Sequence, residues 1–537
     1  MTEQVSLTIN GRRVSGNAGS TILELALDHG IHIPHLCAQK DLAPFGACGL
    51  CLVEVSGTSR LLRACSTAAA DGMRVNSESP RVRRARAVAL ELMLSDHDGQ
   101  CTAPCALACP AHVDCQGFLK SAAGGDLEGA AAILLDRLPL PASVGRICPH
   151  PCEAACRRRL VEEPLSIASL QVHVAEANLN APQPVRPPVL PATGKSAAVV
   201  GGGPCGLSAA GFLARMGHQV TLFDAMPRMG GMLRRAVSPD LLPQVVLDRE
   251  IAQIEALGVR MVNSRRISGE ELSALRSEYG AVLLAIGAWA SAPWASGVEI
   301  PPRDPASRRA ELNAFPQLTQ TGAGRIAAEP GVFCTNVEGV FAAGDAVNHG
   351  VRHAAAAVGQ AAAAAAAIDG YLRGVSAPRP VSLRSRQKVS AETFQAVERR
   401  PRTAFSPSGP SEEEVRSEAA RCLECGCAAY PDCGLLREIN ARQVRSGRLE
   451  GRPHGDDVQT RPGAILYDRG KCILCGQCVR ICHEQARQDL LSFVGRGFEV
   501  SVRAVPTHAE QSAACQSCLR CVRLCPTGAL RSAGSAN

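Results

Sequence analysis

The stretch AAVVGGGPCGLSAAGFLARMGHQVTLFDA, residues 197–225, decides the fold of the central part of the chain. An apolar strand runs into a glycine-rich turn, a helix follows, and a second apolar strand ends at Asp224. In such a pattern Gly201 makes the tight turn, Gly203 lets a pyrophosphate approach the backbone, and Gly206 lets the helix pack on the sheet. The phosphates would lie at the helix N-terminus, and Asp224 would accept from a ribose hydroxyl. The stretch therefore predicts a Rossmann-like dinucleotide-binding unit.

Three further motifs accompany this fingerprint: MGGMLR with Gly230 and Gly231, AVLLAIGAW at 281–289, and GVFAAGDA at 339–346. The set resembles the two-dinucleotide flavoprotein family, in its glutamate synthase small-subunit branch. The resemblance implies that residues 191–375 form a Rossmann-like FAD domain. It also implies that Gly344 and Asp345 lie at the flavin, with Asp345 on the ribitol, and that a helix from about His353 points its N-terminus at the pyrophosphate.

A second fingerprint, for NAD(P)H, is expected in that family between the last two motifs. Here only about 50 residues separate Trp289 from Gly339. One G-x-G-x-x-A occurs, at Gly322, Gly324 and Ala327, but the preceding FPQLTQT is polar and supplies no strand. We interpret this match as chance and predict a flavin domain without an NAD(P) subdomain.

The chain of 537 residues contains 25 cysteines and only 3% aromatic residues. All but Cys205 and Cys334 fall in tight groups, which predicts either a disulfide framework or metal ligation. The N-terminus has no apolar signal-peptide core, and no run of 18 apolar residues occurs. We therefore expect a cytoplasmic protein without a membrane span, whose thiolates bind metal.

The formal net charge of +7 counts no cysteines. Because iron-bound cysteines are thiolates, the basic balance partly neutralises bound clusters, and it does not predict a nucleic-acid partner. The run RVRRARA at 81–87 is interpreted as a solvated helix face.

The first cysteine group follows a predicted hairpin (5–14) and a predicted helix (20–30) with Ser20 as N-cap. Its members are Cys37, Cys48, Cys51 and Cys65, in a C-x10-C-x2-C-x13-C pattern. The wide first loop resembles the [2Fe-2S] domains of the complex I large iron–sulfur subunit and of iron-only hydrogenases. The resemblance implies a β-grasp ferredoxin-like domain in residues 1–80. A structural zinc site is the alternative, although zinc ligands are usually spaced in shorter pairs.

The second group, within residues 95–175, resembles the N-terminal domain of the glutamate synthase small subunit and of dihydropyrimidine dehydrogenase. The resemblance implies a helical domain, residues 81–190, with two [4Fe-4S] clusters. Two ligand sets carry over by motif. One cluster would use Cys109, Cys148, Cys152 and Gln171, and the other Cys101, Cys105 and Cys156.

This group departs from the family at its start, where His97-x3-Cys101 replaces the usual first pair of cysteines. A His-x3-Cys spacing resembles the histidine-ligated cluster of complex I and hydrogenases. We therefore favour His97 as the fourth ligand, with Cys115 as its rival. The alternative is that His97 is merely an exposed loop residue.

Residues 376–460 are predicted to be a linker followed by a cysteine-rich segment. The stretch 374–420 is rich in Pro, Ser and Arg, and it is followed by Cys422, Cys425, Cys427 and Cys433. This set suits a [4Fe-4S] cluster or a zinc knuckle. We favour iron–sulfur because the neighbouring motifs are of redox type.

The C-terminal residues 461–537 carry two C-x2-C-x2-C-x3-C runs, the pattern of bacterial two-cluster ferredoxins. The fourth cysteine of each run binds the other cluster in such proteins. One predicted ligand set is Cys472, Cys475, Cys478 and Cys525; the other is Cys515, Cys518, Cys521 and Cys482. The residues between the runs read as strands of an insert.

Together these motifs predict a multidomain α+β and α/β protein that binds one FAD, one [2Fe-2S] and about five [4Fe-4S] clusters. We find no catalytic triad, carboxylate pair or open metal site, so electron movement is the expected chemistry. We expect an electron-transfer subunit that docks to a diaphorase-type NAD(H)/FMN subunit and serves a hydrogenase, a formate dehydrogenase or a ferredoxin. A self-contained NAD(P)H-dependent reductase and a zinc-stabilised scaffold are the alternatives.

Overall fold

The computed structural model divides the chain into two compact units. The first unit holds the described residues up to Cys101 and those from Cys427 onward, and the second holds those from Thr102 to Gly426. The structure describes residues 4–97, 101–287, 315–321, 325–347, 353–375, 394–395, 397–405, 409–427, 429, 433–442, 444, 448–449, 451, 458–461, 465–505 and 509–532.

A five-stranded mixed sheet opens the first unit, in the order β2-β1-β5-β3-β4. Its elements are β1 (Gln4–Ile9), β2 (Arg12–Asn17), α1 (Ile22–Asp28), β3 (Leu52–Val55), β4 (Leu62–Arg63) and β5 (Arg74–Asn76). The predicted hairpin is present as β1 and β2. Thr21, and not Ser20, caps α1, because its hydroxyl accepts from the Glu24 N–H and Glu24 returns a capping-box bond.

Helix α2 (Pro80–Asp96) follows this sheet and begins after the N-cap Ser79. The solvated basic face predicted for 81–87 is wrong at Arg86, which is 1% exposed. Its guanidinium donates to the Leu52 carbonyl at 2.8 Å and pairs with Glu78 at 3.2 Å. Arg86 thus fixes α2 on the cysteine-bearing sheet, because a buried charge needs such partners.

The second unit begins with six short helices, in accord with the predicted helical domain. They are α3 (Pro104–Ala108), α4 (Cys115–Ala123), α5 (Leu127–Arg137), α6 (Pro141–Ile147), α7 (Pro151–Ala154) and α8 (Ile167–Asn180). Asp114 and Asp126 cap α4 and α5 by accepting from backbone N–H groups three residues on.

A five-stranded parallel sheet follows, in the order β10-β9-β6-β7-β8. Its strands are β6 (Ser196–Val200), β7 (Gln219–Phe223), β8 (Arg260–Val262), β9 (Ala281–Leu284) and β10 (Val340–Ala342). The helices are α9 (Pro204–Arg215), α10 (Met232–Arg235), α11 (Gln244–Glu255), α12 (Gly269–Glu278) and α13 (Ala354–Arg373). Alternate residues of β6 join two different apolar cores, so both faces of this sheet are covered.

The segment predicted as a linker contains a further helix, α14 (Glu412–Ala419), which belongs to the second unit. Ser411 and Glu414 form its capping box, and Val415 and Ala419 are buried. At least this part of the segment is therefore packed structure.

The remainder of the first unit joins short helices to two small sheets. The helices are α15 (Gly434–Arg442), α16 (Gln477–Arg480), α17 (Ala509–Cys518) and α18 (Arg520–Leu524). The strands are β11 (Val458–Arg461), β12 (Ile465–Asp468), β13 (Leu491–Val494), β14 (Ser501–Ala504) and β15 (Leu530–Ser532). The hairpin β13–β14 is the predicted insert between the cysteine runs.

The predicted fold class is confirmed: α+β segments of ferredoxin type, a helical segment and a parallel-sheet oxidoreductase segment share one chain. Within the described ranges, no helix has the length and apolar character needed to cross a bilayer.

Candidate flavin and iron–sulfur sites

The fingerprint glycines lie at the turn between β6 and α9. Gly201 has a φ of +109°, and a Cβ there would lie 2.4 Å from the Ala285 carbonyl oxygen. A Cβ on Gly206 would lie 1.8 Å from the carbonyl oxygen of Gly201, so only glycine lets the helix start pack on the turn. The predicted roles of these two glycines in shaping the turn agree with this geometry.

Gly203 is the N-cap of α9, and no side chain in the described part of the chain caps this helix. Of the atoms that the structure describes, only the Cα of Gly231 would lie within 4 Å of a Cβ on Gly203, at 3.9 Å. Gly230 and Gly231 both have positive φ and form a second glycine turn beside it. The uncapped first-turn N–H groups and this open backbone fit a pyrophosphate.

Asp224 is 9% exposed at the end of β7. One of its carboxylate oxygens accepts from the Gly202 N–H at 2.5 Å, and the other accepts from the Met226 N–H at 2.7 Å. The carboxylate therefore holds the glycine turn against β7. Its predicted contact with a ribose hydroxyl stays a prediction.

The GDA motif forms a 3-10 turn at Gly344–Ala346, and the Gly344 N–H donates to Oε1 of Gln360 at 2.9 Å. Burial raises the pKa of Asp345 to about 6. His353 caps α13, since its Nδ1 accepts from the Ala356 N–H. The motif thus packs against α13, and the predicted contact of Asp345 with the flavin ribitol stays a prediction.

The rejected second fingerprint lies mostly outside the described residues, which omit 288–314 and 322–324 and so Gly322 and Gly324. Gln320, which precedes the match, and Ile326, which lies within it, pair as an antiparallel bridge. This pairing is typical of a hairpin and not of a strand–turn–helix fingerprint. The absence of an NAD(P) subdomain stays a prediction.

The four cysteines of the N-terminal group come together and are all buried. The Cys48 N–H donates to the Cys37 sulfur, and the Leu36 N–H donates to the Cys48 sulfur, both at 3.4 Å. Cys65 is hydrogen-bonded to both Cys37 and Cys51. The bond with Cys37 lowers the pKa of Cys65, whereas the bond with Cys51 and burial raise it, and the result is a pKa of about 11. Backbone donors to sulfur and a closed thiol group fit an iron–sulfur cluster.

A cavity in the helical segment brings together the predicted ligands Cys109, Cys148, Cys152 and Gln171. The Gln171 side-chain nitrogen donates to the Pro141 carbonyl at 2.8 Å, so its oxygen is the atom that would bond iron. Cys115 also lines this cavity.

Cys115 is 2% exposed and is hydrogen-bonded to Cys105 and Cys152. It belongs to the second unit, whereas His97 and Cys101 belong to the first. Cys115 lies beside Cys105, a predicted ligand of the same cluster, so the choice between Cys115 and His97 as the fourth ligand stays a prediction.

His97 lies at the end of α2 and is 8% exposed, so its reading as an exposed loop residue is wrong. The cysteines predicted to share a cluster with it, Cys105 and Cys156, lie in the second unit. The Cys422–Cys433 group is divided as well, with Cys422 and Cys425 in the second unit and Cys427 and Cys433 in the first.

Cysteines of the two C-terminal runs lie close together. One cavity is lined by Cys482 together with Cys515, Cys518 and Cys521. Burial, followed by nearby thiolates that include Cys475, Cys472 and Cys525, raises the pKa of Cys478. Cys482 therefore lies with the first three cysteines of the second run, and the ligand set that includes Cys525 stays a prediction.

In the part of the chain that the structure describes, no group of three or more His, Cys, Asp or Glu has the spacing of ligands to one metal ion. Cluster cysteines lie farther apart, because each bonds its own iron atom.

Two arginines beside the cysteine groups escaped sequence analysis. Arg480 donates to the Cys37 carbonyl at 2.6 Å and to the Ala43 carbonyl, and its guanidinium lies over the Phe45 ring. Arg157 is hydrogen-bonded to Cys425 and lowers the pKa of that thiol. Burial has the larger effect and raises it. Neither arginine has a local sequence signal, because their partners are distant in the chain.

Four family models match the chain. They are the 2Fe-2S iron-sulfur cluster binding domain at residues 2–80, dihydropyrimidine dehydrogenase domain II (4Fe-4S cluster) at 97–182, pyridine nucleotide-disulphide oxidoreductase at 170–361, and the 4Fe-4S dicluster domain at 471–529. These matches confirm the predicted kinds of domain.

Three curated proteins are similar to part of the chain. The NADPH-Fe(3+) oxidoreductase subunit beta of Geobacter sulfurreducens is 36% identical over 203 residues, which cover 37% of this chain and 30% of that protein. The NADP(+)-dependent formate dehydrogenase subunit beta of Moorella thermoacetica is 37% identical over 212 residues, 35% of this chain and 30% of that protein. The NAD-dependent dihydropyrimidine dehydrogenase subunit PreT of Salmonella typhimurium is 35% identical over 188 residues, which cover 34% of this chain and 45% of that protein.

The chain thus spans less than half the length of the curated relatives it matches. The domain matches and the geometry of the glycine turns and cysteine groups lead to one classification. The chain is an oxidoreductase-type iron–sulfur flavoprotein that joins a [2Fe-2S] domain, a dihydropyrimidine dehydrogenase-type [4Fe-4S] domain, a pyridine nucleotide-disulphide oxidoreductase domain and a [4Fe-4S] dicluster domain.

Proposed function

We propose that this chain is an electron-transfer subunit of a multi-subunit cytoplasmic oxidoreductase. It relays electrons between a diaphorase-type NAD(H)/FMN partner and a hydrogenase, a formate dehydrogenase or a ferredoxin. The proposal rests on one observation. Within each unit, residues of one predicted cofactor site contact residues of the next.

In the second unit, the flavin helix contacts a cysteine site directly. Ala355, in the first turn of α13, lines the same cavity as Cys109, Cys152 and Gln171. A Cβ on Gly359 would lie 2.0 Å from the Pro110 carbonyl oxygen, so α13 packs tightly on the loop after Cys109. Bound FAD would supply exchange between electron pairs and single electrons. The chain's part is to hold the flavin helix against the loop that carries a cluster ligand.

In the first unit, the ferredoxin cysteines lie beside two other cysteine groups. The Cys37 thiolate contributes to the raised pKa of Cys475, after burial and nearer thiolates. Gln477 and Arg480 donate to the carbonyls of Leu36 and Cys37 at 2.7 and 2.6 Å. The thiolate of Cys525 likewise contributes to the raised pKa of Cys433. These contacts support a chain of closely spaced sites.

The location and the partners are proposed from chemistry and from similarity. All 25 cysteines are free of disulfide bonds, which suits a reducing compartment. The similar proteins from Geobacter and Moorella are named as subunits of an oxidoreductase and of a formate dehydrogenase. The similarity supports a subunit role for this chain.

The test is anaerobic reduction of the purified chain. Dithionite should bleach the flavin and the clusters, whereas NADH and NADPH should leave the flavin oxidised until a diaphorase-type subunit is added. Rapid bleaching by either nucleotide without a partner would favour the alternative, a stand-alone NAD(P)H-dependent reductase. That alternative is kept because the matched oxidoreductase domain is of the pyridine nucleotide type. A pale protein without iron and sulfide would instead indicate the zinc scaffold.

A further inference from the structure

We infer that the Cys422–Cys433 motif does not bind one cluster but is shared between two. Cys422 and Cys425 join Cys105 and Cys156, whereas Cys427 and Cys433 join His97 and Cys101. Each set then lies within one unit of the structure. The inference requires that the chain binds iron–sulfur clusters, and it does not depend on which partners the chain serves.

The residues that flank Cys422 and Cys425 are tied to the helical segment. On one side, the buried Arg421 pairs with Glu162 at 3.0 Å and donates to the Glu163 carbonyl at 2.8 Å. Arg158 donates to the Arg421 carbonyl at 3.2 Å. Because Arg158 is two residues from Cys156, these bonds hold Cys422 close to the Cys156 loop.

The other side of the segment is held by α4. The Gly426 N–H donates to Oε1 of Gln116 at 2.7 Å, and Lys120 pairs with Glu424 at 3.6 Å. A Cβ on Gly426 would lie 2.8 Å from the Ala103 nitrogen, so the segment lies against the chain just before Cys105.

The four thiols of the second unit influence one another electrostatically. Burial is the main cause of the raised pKa of both Cys422 and Cys425, and the thiolates of Cys105 and Cys156 raise both further. Cys105 likewise contributes to the raised pKa of Cys156. These influences agree with the contacts that hold Cys422 near the Cys156 loop and Gly426 near the chain before Cys105, and those contacts carry the assignment. The nearby Arg157 cation suits a cluster with several thiolates.

In the first unit, the Cys427 N–H donates to the Cys101 carbonyl at 3.2 Å. The thiols of Cys427 and Cys433 point to consecutive carbonyls, those of Thr527 at 3.7 Å and Pro526 at 3.5 Å. Cys427 also contributes to the raised pKa of Cys433. Cys101, Cys427 and Cys433 therefore line one site.

His97 supplies the remaining donor atom. Its Nδ1 is buried and has no hydrogen-bond partner among the described residues, which is costly unless another group binds it. Burial first, and then the Lys471 cation, lower the pKa of His97 to about 4. Lys471 also lies close enough to Cys427 to be affected by its thiolate. Iron is the partner that the surrounding cysteines suggest.

The experiment compares double variants of the whole chain, purified anaerobically, by iron and sulfide content. Loss of one cluster removes about four iron atoms. Cys422→Ser with Cys156→Ser should remove about four, and Cys422→Ser with Cys427→Ser about eight. If Cys422–Cys433 instead bind one cluster, Cys422→Ser with Cys156→Ser should remove about eight iron atoms and Cys422→Ser with Cys427→Ser about four. That result would overturn the inference. Cys334→Ser, at an unassigned cysteine, should retain all the iron.

A second measurement tests the inference even if the double variants fail to fold. Wild-type chain labelled with 15N-histidine and reduced should give a nitrogen hyperfine coupling by pulsed EPR. His97→Cys should keep its iron and lose that coupling. Absence of the coupling in the wild type, or its survival in His97→Cys, would exclude His97 as a ligand. Failure of the proposed relay function would leave both measurements unaffected, because neither uses a partner or a nucleotide.

Discussion

The carboxylate of Glu250 accepts a hydrogen bond from the backbone N–H of Ser143 at 3.0 Å. A second bond, from the Ala142 N–H, measures 2.7 Å. Glu250 lies on α11 of the flavin segment, and Ser143 lies in the first turn of α6 of the helical segment. The bonds place a buried carboxylate at a helix N-terminus and join the two segments within the second unit.

The first prediction concerns this carboxylate and pH. Burial raises the pKa of Glu250 to about 7, above its ordinary value of 4.5. The folded chain therefore binds the extra proton, and stability should fall as pH rises from about 4.5 to about 7. Glu250→Gln should flatten this part of the profile in thermal melts. Glu255→Gln, at an exposed position of the same helix, should leave it unchanged. An unaltered profile in Glu250→Gln would show that the carboxylate does not titrate there.

The second prediction concerns the glycine turn. Gly206→Ala places a methyl group 1.8 Å from the Gly201 carbonyl oxygen, and the helix start must move away from the turn. We expect co-purified FAD, measured by absorbance after extraction, to fall about tenfold or more, which corresponds to about 1.4 kcal/mol. Gly211→Ala on the same helix meets its nearest atom at 3.7 Å and should keep full flavin. Equal flavin in both variants would contradict the assignment of this turn to the cofactor.

The third prediction concerns the contact between α13 and the Cys109 loop. Gly359→Ala overpacks the Pro110 carbonyl, and we expect a loss of about 1–3 kcal/mol in stability. Flavin-to-cluster electron transfer, followed by stopped-flow absorbance, should slow because the flavin helix is displaced. Ala363→Ser adds an atom at an exposed position of α13 and should change neither quantity. If Gly359→Ala is less stable but transfers electrons from the flavin to the cluster at the wild-type rate, this contact is not part of the electron path.

The fourth prediction concerns Arg480. Arg480→Ala removes two donors to carbonyls of the [2Fe-2S] loop and the contact with Phe45, at a cost of about 1.5–3 kcal/mol for each charged hydrogen bond. Freeze-quench EPR should then show slower electron exchange between the [2Fe-2S] and ferredoxin signals. Arg503→Ala, at an exposed position of β14, should behave as wild type. Normal exchange in Arg480→Ala would mean that these two sites communicate by another route.

The elements that sequence analysis predicted well are those whose pattern is local. The glycine fingerprint with the strands it joins, and each of the two ferredoxin runs, lie within a short stretch of sequence. The spacing of their residues therefore indicates the local geometry. The N-cap of α1 was misplaced by one residue, because Ser20 and Thr21 are both suitable caps and only the reciprocal bond with Glu24 distinguishes them.

The division of the Cys422–Cys433 motif was beyond sequence reasoning. Four cysteines within twelve residues read as one site, and nothing near them indicates Gln116, Arg158 or Cys101 as neighbours. Those contacts join residues some 260 to 330 positions apart. The burial of Arg86 was missed for the same reason, since only the folded chain supplies its surroundings.

The bonds of Arg480 to the loop that carries Cys37 have a kinetic consequence. A free ferredoxin finds its redox partner by diffusion, through a collision steered by charge and weakened by salt. Here the ferredoxin and [2Fe-2S] segments belong to one polypeptide and are docked through a guanidinium held by two carbonyls. Exchange between them should therefore be first order, independent of protein concentration and insensitive to ionic strength.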